Sequence, residues 1–92
     1  MKKPKKVWPE NLMEDLLRWA PVIKRHIASV DDVTRAVSQL SKEDQLLIRY
    51  HYQDELNFVE VGKKLGVSTS AAHYRVQRAA RVDLERVLLM ET

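Results

Sequence analysis

Gly62 and Gly66 are the only glycines in this chain of 92 residues, and both fall in one stretch, Asn57 to Ala80, that reads as two short amphipathic helices joined by a turn. Asn57 is placed to N-cap the first helix, with Glu60 reaching back as its capping-box partner, and Ser68 is placed to cap the second. Gly66 stands just past the first helix, where the chain commonly turns left-handed and a side chain is penalised. Gly62 lies inside that helix, where it costs ~1 kcal/mol relative to Ala. A small residue there makes sense if the second helix crosses close over it. Val61, Leu65, Val67, Ala72 and Val76 then supply the apolar contacts between the pair. The pattern predicts a helix-turn-helix.

Charge divides the chain in the same way. Residues 61–82 carry Lys63, Lys64, Arg75, Arg78 and Arg81 and no acid, whereas residues 1–60 hold ten basic and ten acidic side chains. Residues 83–92 are acidic on balance, with Arg86 against Asp83, Glu85 and Glu91, so the formal net charge of +3 is concentrated on the paired helices. A basic stripe on one element is the footprint of a phosphate-binding surface, and the ligand implied is double-stranded DNA.

The remainder reads as helix. Four lysines and a proline occupy Met1 to Lys6 before any periodic pattern, so residues 1–7 are expected to be a basic flexible arm. Leu12, Met13, Leu16, Leu17 and Trp19 recur at helical spacing and predict a helix over 9–19. Pro21 breaks it and opens a short second helix with Val22, Ile23, His26 and Ile27 on one side. Ser29 and Asp32 suit the cap of a third, whose apolar face is Val33, Ala36, Val37 and Leu40. Ser41 opens a charged helix running to Tyr52, with Leu47, Ile48, Tyr50 and Tyr52 packing it against the paired helices. After Ser68 nothing breaks the last helix, and Val76, Ala80, Leu84 and Leu88 fall at steps of four, with Val87 beside them. The expected fold is all-α: N-terminal helices over 8–29 and a helix-turn-helix domain over 30–92, with 8–92 forming one compact unit.

Several functions find no support. Cysteine is absent, which removes disulfides, thiol catalysis and the usual structural zinc sites. His26, His51 and His73 do not fall at metal-ligand spacing. There is no Gly-rich phosphate loop, no nucleophile with an identifiable base and no carboxylate pair in an apolar setting, so no catalytic residue or cofactor is assigned. No apolar run resembles a membrane span or a signal peptide, and a cytoplasmic protein is expected.

Residues from about 30 to 90, two thirds of the chain, resemble region 4 of bacterial sigma factors, the C-terminal promoter-reading domain. The resemblance rests on Ala36 and Leu40-Ser41, on Leu46 through Tyr52, on Glu60-Val61-Gly62-Lys63 and Leu65-Gly66-Val67-Ser68, and on Tyr74-Arg75-Val76 and Arg78-Ala79. It implies a recognition helix that reads the upstream promoter hexamer, and docking on the β flap of RNA polymerase. The chain has no room for the core-binding and promoter-melting domain, so a fragment, a split partner or a stand-alone regulator is expected, and some phage-encoded regulators are similar in this respect. The family often places Arg, Glu or Lys at the early base-reading positions. Here they are Thr69, Ser70 and Ala71.

The first residues of such a helix reach base edges, so Thr69, Ser70, His73 and Tyr74 are the expected base contacts. Lys63, Lys64, Ser68, Arg75, Gln77 and Arg78 are the expected phosphate contacts, which fix register without reading sequence. One of the two arginines, Arg75 or Arg78, is alternatively paired with Glu60 or another acid of the domain. The apolar N-terminal positions, Trp8 and Trp19 included, either complete the core or form a homodimer or polymerase-binding surface. The function expected is a sequence-specific transcription regulator. The alternative is a module that binds polymerase or a regulator without reading DNA.

Overall fold

A computed structural model describes residues 7–90. Apart from Val7, the basic arm expected at the N-terminus lies outside the described residues. Helix α1 spans Glu10–Trp19, with Leu12 and Leu16 one turn apart and wholly buried. Asn11 donates from its side-chain amide to the Tyr52 carbonyl at 2.8 Å, tying α1 to the middle of the chain.

Pro21–His26 forms a 3-10 helix, not an α-helix. Its three residues per turn put Ile23 and His26 on one side and Val22 and Arg25 on the other. The single-sided arrangement expected of Val22 and Ile23 is therefore not found: Ile23 is fully buried and Val22 is 63% exposed. Helix α2, Val30–Ser38, starts where the Asp32 carboxylate accepts from the backbone N–H groups of Ala28 at 2.7 Å and Ser29 at 3.1 Å. Those two bonds hold the Asp32 carboxyl below its ordinary pKa. Val33, Ala36, Val37 and Leu40 all face the core.

Helix α3, Lys42–Ile48, begins with the Ser41 hydroxyl accepting from the Asp44 N–H at 3.2 Å. It continues into a π-helical turn, Arg49–Gln53, closed by the Asp54 N–H donating to the Arg49 carbonyl at 2.8 Å. Leu47, Ile48 and Tyr52 are buried, while Leu46 stays at the surface. Glu55 adopts a left-handed conformation with φ of 57°, which reverses the chain so that Leu56 N–H bonds back to the Tyr50 carbonyl at 2.9 Å.

Helix α4, Phe58–Leu65, and helix α5, Thr69–Arg78, follow as the pair expected. From α5 the chain runs through a second π-helical turn, Ala79–Asp83, into α6, Leu84–Met90. Steps of four advance an α-helix by about 400°, so a stripe at that spacing drifts by roughly 40° per turn. The wider π turn takes up the drift, and Val76, Ala80, Leu84 and Leu88 all reach the core. Helix α6 packs on α2 and on the 3-10 helix, and one cluster of buried side chains joins Leu12, Leu16 and Ile23 to Val33, Leu47, Val61 and Leu84. Among the described residues no helix is long and apolar enough to cross a membrane.

Candidate nucleic-acid interface

The capping box of α4 is complete. The Asn57 side chain accepts from the Glu60 N–H at 2.9 Å, and the Glu60 carboxylate accepts from the Asn57 N–H at 3.0 Å. Gly66 ends the helix with φ of 70°, and Val67 N–H donates to the Gly62 carbonyl at 2.9 Å. The Ser68 hydroxyl then accepts from the Ala71 N–H at 3.1 Å to start α5. What lies over Gly62 is this turn and not the body of α5: a Cβ at residue 62 would sit 2.8 Å from the Val67 carbonyl oxygen and 3.3 Å from that of Ser68. Glycine at this position lets the turn fold back on α4, and that sets the angle at which α5 leaves.

Ala72 and Val76 bury the inner face of α5. On the outer face Ser70, Tyr74 and Arg78 follow one another at steps of four, all exposed, with Thr69 exposed at the leading end. Tyr74 is 62% exposed, far more than a packing role requires. Among the described residues Arg78 has no ion-pair partner. Lys63 and Lys64 project from the exposed side of α4, with the Lys64 ammonium 5.7 Å from the centre of the Tyr50 ring.

Two of the basic residues are drawn to either side. Arg75 pairs with Glu43 of α3 at 3.5 Å, which makes Glu43 the acid that engages one of the two arginines. Glu60 is occupied by its cap. Arg81 lies over the Trp19 ring, 4.6 Å from its centre, next to the buried Tyr52. Burial, together with the negative charge of the nearby Asp15, raises the Tyr52 pKa and keeps the phenol neutral. The strip of five basic residues thus resolves into Lys63, Lys64 and Arg78 facing solvent, with Arg75 and Arg81 on its flanks.

His73 and Gln77 stand one turn apart on the flank of α5 that meets α4. The Gln77 side-chain nitrogen lies 2.6 Å from His73 Nε2. Phe58, the first residue of α4, meets the His73 ring edge-on at 4.4 Å and stacks on His51 at 4.6 Å with the planes 13° apart. His51 donates from Nδ1 to the Leu56 carbonyl at 3.0 Å, which anchors the far end of the column. A cleft of about 160 Å³ opens beside it, bordered by Trp19, Phe58, His73 and Arg81. Sequence reading missed the part played by Phe58 and the partnership of His73 with Gln77. The spacing of four between these last two was the available signal. Among the described residues no group of three or more His, Asp or Glu side chains is placed to hold a metal ion.

A three-residue turn between a capped helix and a second helix whose outer face carries Ser70, Tyr74 and Arg78, uncovered by any described residue, defines a helix-turn-helix module of the DNA-binding class. A model of the family described as sigma-70, region 4 matches residues 31–81, more than half of the chain, and the chain belongs to that family. Domains of this family are regulatory modules of transcription that engage DNA and RNA polymerase. No curated protein and no solved structure matches the chain.

Proposed function

We propose that the protein is a sequence-specific transcription regulator that lays α5 in the major groove of promoter DNA and contacts RNA polymerase. What supports this is the outward face of α5, which none of the described residues covers, in a segment from 61 to 82 without a single acid. In this arrangement Thr69, Ser70, His73 and Tyr74 meet base edges. Thr69 offers a methyl to thymine and a hydroxyl to either strand, and Tyr74 offers a hydroxyl to a purine acceptor. Lys63, Lys64 and Arg78 meet phosphates directly, Ser68 and Gln77 at closer range, and Arg75 by leaving Glu43. That exchange is cheap, because an exposed ion pair is worth ~0–1 kcal/mol.

The uncharged Thr69, Ser70 and Ala71 favour a second reading, in which the same shape binds a protein partner without reading DNA. Affinity for a random-sequence duplex measured from 50 to 300 mM salt separates the two. Phosphate binding weakens steeply along a straight log–log line, with about one unit of slope for each phosphate neutralised. A slope near zero, or no binding at low salt, removes the DNA reading.

A further inference from the structure

We propose that Gln77 is a positioning residue for base recognition, which sets the tautomer and ring orientation with which His73 meets DNA. The inference rests on the reading of α5 as the recognition helix. His73 is exposed, and an exposed imidazole on a helix ordinarily samples several rotamers and both neutral tautomers. Here it is held from two sides. The edge-on contact with Phe58 at 4.4 Å fixes the plane of the ring, and Phe58 is itself fixed by stacking on His51. The Gln77 amide nitrogen, 2.6 Å from His73 Nε2, carries only donor hydrogens.

An amide N–H facing Nε2 requires that nitrogen to accept, which leaves the proton of the neutral ring on Nδ1. His73 therefore presents one donor of known position in place of an undefined donor and acceptor. Gln77 keeps its carbonyl oxygen and a second N–H, the pair of groups that a carboxamide uses to read adenine. The two side chains form one rigid reading unit, and its preference is decided by the direction of a single hydrogen bond. This supplies specificity at a helix whose early positions carry no charge.

The test combines long-range nitrogen–proton NMR of the His73 ring in the free protein with binding to a duplex that the wild-type protein enriches from a random pool, and to its single-base variants. The wild-type ring is expected as the Nδ1–H tautomer. Gln77→Ala should shift it toward Nε2–H and reduce discrimination at one or two base positions by roughly five- to tenfold, over and above a uniform loss on all duplexes from its phosphate contact, with the salt slope unchanged. Gln77→Glu replaces the donor with an acceptor, so it should force the Nε2–H form and change which base is preferred at those positions. An unchanged tautomer in both variants overturns the proposal, as does a changed tautomer with every base still discriminated. A wild-type protein that enriches no sequence overturns it at the earlier step, by removing base reading itself, and that outcome is seen before any variant is compared. Gln77 is only partly covered and lies outside the apolar core, so both variants are expected to fold.

Discussion

The carboxyl of Asp44, in the first turn of α3, lies beside that of Asp83, in the π turn between α5 and α6. Burial and the adjacent Asp83 and Glu43 push Asp44 up to about 6, so the two acids share a proton under mildly acidic conditions. A folded-state pKa above the unfolded one means that the folded protein binds the extra proton. The stabilisation is complete below the unfolded value near 4 and is lost as the pH rises through 6.

Stability should consequently increase from pH 7.5 to pH 5. Because the pair is only partly buried, the effect is discounted to roughly 1 kcal/mol, which is about 4–8 °C in melting temperature for a domain of this size. Asp83→Asn should raise the melting temperature at pH 7.5 and flatten the pH dependence relative to wild type. Parallel pH profiles for the two proteins, followed by circular dichroism, would show that the pair does not couple α3 to the π turn between α5 and α6.

Gly62→Ala provides a test with opposed expectations. Helix propensity alone favours alanine by ~1 kcal/mol. The added methyl would lie 2.8 Å from the Val67 carbonyl oxygen, a backbone atom that cannot swing aside. Overpacking of this kind costs roughly 1–3 kcal/mol, so the net effect should be a lower melting temperature. A mutant melting above the parent would contradict the close approach of the turn.

Arg78 and Arg75 should behave differently in DNA binding. Arg78→Ala should weaken binding to all duplexes alike and lower the salt slope by about one unit. Glu43→Gln frees Arg75 and removes a negative charge beside α5, so it should strengthen binding to random duplex at low salt. Fluorescence anisotropy at several salt concentrations measures both, and an unchanged slope for folded Arg78→Ala would take that residue out of the interface.

The N-terminal third is expected to be part of the core. Leu12, Leu16 and Ile23 are fully buried, and Leu16→Ala should cost about 2–5 kcal/mol. Deleting residues 1–29 should abolish the cooperative melting transition and DNA binding with it. A soluble 30–92 fragment that melts like the full chain would instead make these helices a partner surface.

Most of the caps and helix faces, which are governed by neighbours within about one helical turn, were legible in the sequence. The caps at Asn57, Ser68 and Ser41, the left-handed Gly66 and the buried stripe from Val76 to Leu88 depend on short spacings, because a cap or a helix face is formed by residues three or four apart. The sequence also marked the acid-free segment that carries the candidate site. Tertiary structure decided what distant residues do to one another: Arg75 meets Glu43, Arg81 lies on Trp19, and Phe58 pins His73. It also chose the 3-10 helix at Pro21 and the two π turns, which no local pattern demanded. The hydrophobic effect rewards burial without direction, so spacing can say that Val76, Ala80, Leu84 and Leu88 seek a core. Only the core, once packed, sets the small changes in helical pitch that bring them to it and the side-chain partners that become neighbours as a result.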